Sequence, residues 1–228
     1  MASKCLSNHR KAFLNEALKG KLSPMQEATG NRFPERPDRV EVEERVLADG
    51  TVRLAVDPEA VKAQAIALRD AGCEAACVFF INGYANDANE RIAVEAVRSV
   101  WPNAHVTAAT EILPEIREFE RLSTATLNAY LQPVVSSYLD RLETGLKDRG
   151  FSGDVLIVQS NGGVMSVETA KRYPVRTALS GPAAGVIAAT AIASAAGFDN
   201  IITCDMGGTS FDVSLVAGGE AALAAETA

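Results

Sequence analysis

Residues 200–219 read NIITCDMGGTSFDVSLVAGG. An apolar segment carrying Ile201 and Ile202 runs into Asp205, two glycines turn the chain, and Val213 and Leu215 alternate with polar residues on the way out. The pattern predicts a strand, a glycine turn and a returning strand. Glycines at 207 and 208 let the backbone come close to a ligand. Backbone N–H groups there, with the hydroxyls of Thr209 and Ser210, suit phosphate oxygens. Asp205 ends its strand, where a carboxylate can hold magnesium through water or orient a nucleophile, and Asp212 can pin the turn. A plain hairpin is the bland alternative, but DMGGTSxD between two apolar strands is a more particular pattern than a glycine turn alone.

Working upstream, Gly181-Pro182-Ala183-Ala184-Gly185 opens a small-residue helix that should run through Ala196 and close at Gly197. Residues 175–179 read as a strand and 166–172 as one or two helical turns. Residues 154–159, DVLIVQ, read as a buried strand that runs into Ser160, Asn161, Gly162 and Gly163. Ligands in open α/β sheets sit at the carboxyl ends of strands, although Asn-Gly-Gly is also an ordinary turn. A long helix is predicted over 114–147, with interruptions near Ser123 and at Pro133 and a stop at Gly150. Its start is crowded with Glu115, Arg117, Glu118, Glu120 and Arg121. Such a run is either a solvated face or an interlobe or substrate contact, with Glu115 and Arg117 the candidates.

Further upstream, residues 39–46 and 51–56 alternate as two half-exposed strands around the Asp49-Gly50 turn. Asp57-Pro58 reads as an N-cap and first helical position, and Val61, Ala65, Ile66 and Leu68 mark the inner face of a helix ending at Gly72. A buried strand follows over 74–81, then a helix over 86–100 and a strand over 105–110. The β-α-β-α-β order predicts parallel strands with helices packed on the sheet. Residues 1–38 are basic, rich in glycine and proline, and read as a poorly ordered arm.

Of the 228 residues 47% are apolar and 22% charged, and the net charge is −7. That charge argues against nucleic-acid partners and anionic membrane surfaces. No segment reads as a membrane span, and the N-terminus lacks the apolar core of a secretory signal. The four cysteines form no CxxC pair, so free thiols and a cytoplasmic location are expected. With only His9 and His105, the chain cannot build a multi-histidine zinc centre by itself.

The 205–212 hairpin resembles the second phosphate loop of the actin-like ATPase superfamily, and the small-residue helix at Gly181 stands where that superfamily places one. The resemblance narrows over five motifs in order. These are EILPEIREFER from Glu111, the Ser123-Thr124 and Asn128-Ala129-Tyr130-Leu131 stretch, Gln159-Ser160-Asn161-Gly162-Gly163, LSGPAAG from Leu179, and the hairpin. Over about residues 39–217 they are similar to the hydantoinase A / oxoprolinase family, which includes N-methylhydantoinase, 5-oxoprolinase and the acetone carboxylase β subunit. Residues 1–38 show no such likeness and lack the glycine-threonine loop with which members begin. The stretch at Asn82–Glu90 also departs, since members often carry Pro and His near Asp87 and Asn89, a change that reads as surface drift.

The resemblance implies an α/β fold with an actin-like ATPase (ribonuclease H-like) lobe, incomplete, preceded by a smaller α/β segment. It divides the chain into an arm at 1–38, the end of the family's N-terminal region at 39–113 and the start of the ATPase domain at 114–228. It implies ATP and magnesium as cofactors. Gly207, Gly208, Thr209, Ser210, Asp212 and Gly181 would bind phosphate, and Asp205 would act as the catalytic and magnesium-side carboxylate. Phosphorylation of an amide oxygen would then prepare a cyclic amide, of the hydantoin or 5-oxoproline type, for opening by water. A second hydantoinase-type subunit is a further implied partner, and the 228 residues are expected to be an incomplete enzyme. A non-catalytic nucleotide-binding module and a small-molecule kinase of the same superfamily are the alternatives.

Overall fold

The computed structural model describes residues 38–208 and 210–221. The arm expected at 1–38 lies, apart from Asp38, outside them. The chain forms two compact units, 1–134 and 135–228, divided within the long helix α4 (Glu118–Asp148).

In the first unit, β1 (Arg45–Val46) and β2 (Val52–Leu54) pair antiparallel. Gly50 turns the chain at φ +84°, and the Asp49 carboxylate accepts the Thr51 N–H. The two expected strands shrink to these short pieces. Val52 and Leu54 stay exposed, while the flanking Val42 and Val56 enter the core. Helix α1 (Pro58–Asp70) starts as expected, with Asp57 Oδ1 accepting the Glu59 N–H at 3.0 Å. Val61 and Ala65, four residues apart, are fully buried, but Ile66 is exposed.

Strands β3 (Ala76–Val78) and β4 (Val106–Ala108) pair in parallel and are joined through α2 (Ala88–Val100), a βαβ unit. Among the described residues only this pair is parallel. The tight turn at Gly50 folds β1 and β2 into a separate antiparallel sheet, so the expected run of parallel strands is not formed. Residues 109 and 110, expected to end that strand, instead open the short helix α3 (Ala109–Ile112), where the Glu90 carboxylate accepts the Thr110 N–H and hydroxyl, each at 2.7 Å. Period-two alternation around β3 sends Val78 and Phe80 to a core with Val61, Val97 and Trp101, and Phe79 to a second cluster with Ala109 and Ala125 of α4.

The stretch read as surface drift is structural. Asn82 and Asn86 donate to the carbonyls of Val46 and Gly50, both at 2.8 Å. Asn89, 1% exposed, accepts the Val56 N–H and donates to Leu54 O and Glu44 Oε2. A fully hydrogen-bonded buried amide is what attaches the β1–β2 hairpin to α2.

Helix α4 runs unbroken through Ser123 and Pro133. The Ser123 hydroxyl donates back to Phe119 O, so it does not compete with the helix. On either side of Pro133, Gln132 and Leu139 are buried within their own units, and packing holds the helix across the missing hydrogen bond.

In the second unit, residues 135–148 of α4 pack on β5 (Leu156–Val158), β6 (Val164–Ser166) and α5 (Val167–Arg172) around Leu139, Met165, Val167 and Ala170. Lys171 ties α5 to α4 through Asp140, at 2.7 Å, and Glu143. The expected strand at 175–179 is instead a 3-10 turn, Pro174–Thr177, which proline opens and the Thr177 hydroxyl closes onto Pro174 O. Helix α6 (Ser180–Ala195) then leads to an antiparallel sheet of β7 (Ile201–Met206), β8 (Phe211–Ala217) and β9 (Glu220–Ala221). Among the described residues no helix is long and apolar enough to cross a membrane.

Candidate functional site

The expected hairpin is present. β7 and β8 pair with Met206 opposite Phe211 and Asp205 opposite Asp212, and Gly207 donates its N–H to Ser210 O at 2.9 Å. That bond closes the turn and occupies the Gly207 N–H within the hairpin. Thr209 lies outside the described residues.

The glycines are informative for what they are not needed for. Neither Gly207 nor Gly208 occupies the left-handed region. A Cβ on Gly208 would meet nothing within 4 Å, and one on Gly207 would make ordinary contacts with Ser210 at 3.7 and 3.8 Å. The chain's own packing does not demand glycine at either position.

Asp205 and Asp212 share one face of the hairpin and both are exposed. Cross-strand neighbours have Cβ atoms about 5 Å apart, where like charges repel. The same face packs on α6: a Cβ on Gly185 would lie 3.8 Å from Asp205 Oδ2. Gly185, which the sequence shows only as part of the helix opening, therefore stands beside Asp205, as the helix-then-hairpin order allows. Gly181 opens the same helix, and open space surrounds it. Among the described residues no group of three or more His, Cys, Asp or Glu could hold a metal ion. A cation here would rest on the two aspartates and water.

The Ser160–Gly163 loop is not the end of a parallel strand. It turns the antiparallel β5–β6 hairpin, with Gln159 and Gly163 bonded across it. Asn161 accepts the Gly163 N–H, Ser160 donates its N–H to Arg176 O at 2.7 Å, and Gly162 sits at φ +84° with Ile187 of α6 2.4 Å from where a Cβ would be. Here conformation and packing account for the glycine, and the side chains of Ser160 and Asn161 remain exposed. Helix α6 thus meets both loops, through Ile187 and Gly185.

Glu115 and Arg117 belong to the first unit and are exposed, Arg117 pairing with Glu120 at 3.5 Å. The residue of that run with a distinctive environment is Arg121, which is 0% exposed. Its guanidinium donates to the carbonyls of Glu115, Phe80 and Ile81 and lies over the rings of Phe79 and Tyr84. It ties the segment after β3 to the start of α4. Cys204 is exposed on the face away from α6. Burial pushes the Cys77 thiol up to about 11, which disfavours its thiolate at neutral pH.

Two models of one family match the chain: the hydantoinase/oxoprolinase N-terminal region over residues 15–101 and hydantoinase/oxoprolinase over residues 121–228. The first match begins inside 1–38, the stretch in which sequence reading found no likeness. The chain is 35% identical over 175 residues to the caprolactamase subunit alpha of Pseudomonas jessenii, covering 77% of this chain and 25% of that protein. The solved ATP-dependent caprolactamase from Pseudomonas jessenii superposes with a TM-score of 0.74 at 29% identity, over 94% of this chain and 31% of that one. The nucleotide-free acetone carboxylase superposes with a TM-score of 0.69 at 26% identity, over 96% and 32%. The chain therefore spans about a quarter of the length of the caprolactamase subunit alpha, about an eighth of the 5-oxoprolinases it also matches, and about a third of the solved chains. Its mixed α/β fold is that of a part of these ATPase-like enzymes, and the chain belongs to the hydantoinase/oxoprolinase family.

Proposed function

We propose that this chain supplies the phosphate and magnesium side of a site for ATP-dependent hydrolysis of a cyclic amide. The observation that carries the reading is the pair Asp205 and Asp212, facing each other beside a glycine turn whose glycines the chain's own packing does not require. The relatives support the direction, since the caprolactamase and the acetone carboxylase are both described as ATP-dependent.

The residues fit such a ligand. Two opposed carboxylates are relieved by a hydrated divalent cation, and open space at Gly208 admits phosphate oxygens against the backbone. ATP would supply a phosphoryl group that turns a poor amide electrophile into a good one. Asp205 would hold magnesium through water, with Asp212 opposite it. The backbone at Gly208 and the hydroxyl of Ser210 would position the phosphate chain, and Gly181 would leave the start of α6 open to it. Ser160 and Asn161 would face the cleft from the neighbouring turn. A partner polypeptide of the hydantoinase type would contribute further substrate contacts.

The test is phosphate release in the presence of magnesium-ATP and, in turn, hydantoin, 5-oxoproline and caprolactam, with the full-length protein or the chain reconstituted with its partner. Release that rises with one ring substrate and is lost in Asp205→Asn supports the reading. A stable phosphorylated product would make it a kinase, and binding without turnover a nucleotide-binding module.

A further inference from the structure

Residues 177–228 contain no lysine, arginine or histidine and five acidic residues, Asp205 and Asp212 among them. The nearest cation in sequence to α6 and the β7–β8 hairpin is Arg176, four residues before α6 begins at Ser180. A phosphate chain laid on this hairpin would find its charge poorly met. The two positive charges of a magnesium ion are matched by Asp205 and Asp212, and phosphoryl transfer relies on cations that neutralise the phosphate oxygens.

Arg176 has the surroundings such a cation needs. Its N–H donates to Tyr173 O at 3.0 Å, and its carbonyl accepts the Ser160 N–H at 2.7 Å, so the backbone is held on both sides. Its guanidinium is exposed and lies 4.6 Å from the centre of the Tyr173 ring, over which Arg172 also lies at 5.1 Å. A ring attracts a guanidinium but offers no lone pair, so the N–H donors of Arg176 stay available. Among the described residues no carboxylate pairs with it, whereas Lys171 is met by Asp140, Glu143 and Glu168. The Ser160 bond sets Arg176 against the β5–β6 turn, which meets α6 through Gly162 and Ile187 and carries the exposed Ser160 and Asn161.

We propose that Arg176 is the side chain that binds the phosphate oxygens of the nucleotide, its planar fork of N–H donors reaching two oxygens at once. That the ligand is a nucleotide rests on the ATP-dependent reading of this site; that it is an anion rests on Arg176 and its surroundings.

The first probe is sodium tripolyphosphate without magnesium, added to the isotope-labelled chain. The readout is the NMR signal of the Arg176 Nε–H, identified by its loss in Arg176→Lys. It should shift and saturate at a concentration about tenfold or more below that needed at the exposed Arg53, Arg141 and Arg149, the margin of one charge-assisted hydrogen bond. Asp205→Asn, which removes a repelling charge, should leave that shift intact or strengthen it. Equal responses at all four arginines mean an adventitious ion only and overturn the proposal, as does a shift with acetate alone, which would make the ligand a carboxylate. The second probe is magnesium-ATP, followed by calorimetry. Arg176→Gln should bind about 10- to 100-fold more weakly than wild type and Arg176→Lys in between, with unchanged melting temperatures. Equal affinities in the three proteins overturn the proposal. A wild-type chain that binds no magnesium-ATP yet gives the saturable Arg176 shift would sink the nucleotide reading and support Arg176 as a phosphate-binding side chain for another ligand.

Discussion

Asp205 on β7 and Asp212 on β8 stand opposite one another across the hairpin, two carboxylates on one face beside a glycine turn. Opposed like charges cost a hairpin roughly 0.2–1 kcal/mol, so the arrangement works against folding unless something positive sits there.

Replacing either residue by asparagine should therefore separate stability from binding. Asp205→Asn and Asp212→Asn should leave the melting temperature unchanged or slightly raised. Magnesium-ATP affinity should fall about 10- to 100-fold, the usual effect of losing a group that orients a metal's ligands. Thermal melts and titration calorimetry on the same samples check both halves. A loss of stability with unchanged affinity would make the pair structural.

The glycines divide into two kinds. Gly162→Ala meets both a left-handed φ and Ile187, and should destabilise the protein by about 1–3 kcal/mol in urea unfolding. Gly208→Ala meets neither and should change stability by less than about 0.5 kcal/mol. Equal costs would remove the argument that Gly208 is kept for a ligand.

Much of this was legible in the sequence, because short-range chemistry decides it. The Asp57-Pro58 cap, the stop at Gly72, the small-residue helix from Ser180 and the β7–β8 hairpin all follow from local signals. What failed depends on partners distant in the chain. Thr110 begins a helix because of Glu90, twenty residues earlier. The apolar DVLIVQ segment, read as a buried strand, forms an antiparallel hairpin in which Leu156 stays exposed. Arg121 is buried because three carbonyls converge on it, whereas its charged neighbours at 117 and 120 stay at the surface.

Arg121 should accordingly be the sensitive member of its run. Arg121→Lys keeps the charge but loses the planar fork that reaches several carbonyls at once, and should cost about 2–4 kcal/mol. Arg117→Ala removes one half of an exposed pair and should cost less than about 0.5 kcal/mol. Chemical denaturation of both variants decides it.

Glu90 adds a pH dependence. Burial raises its pKa, against the opposing pull of the Thr110 hydrogen bonds, the Phe80 N–H and the Arg121 charge. Glu44 is also raised by burial, with the Asn89 hydrogen bond opposing. A carboxyl whose folded pKa lies above its unfolded value of 4.5 holds its proton longer in the folded state. Stability should then fall as pH rises from about 4.5 through the folded value. Glu90→Gln cannot ionise, so its stability should decline less over that range, keeping the slope due to Glu44 and the opposite slope due to His105, whose pKa burial lowers. Denaturant midpoints measured between pH 4 and 8 would show this, and parallel profiles for wild type and variant would count against it.

The most direct test of the nucleotide reading is calorimetric titration of the chain with magnesium-ATP, beside Gly208→Val, whose side chain blocks approach to the backbone. The account predicts measurable binding by the wild-type chain and its loss in the variant, with the melting temperature unchanged. Equal binding by the two proteins would contradict it, by placing the nucleotide somewhere other than the β7–β8 turn.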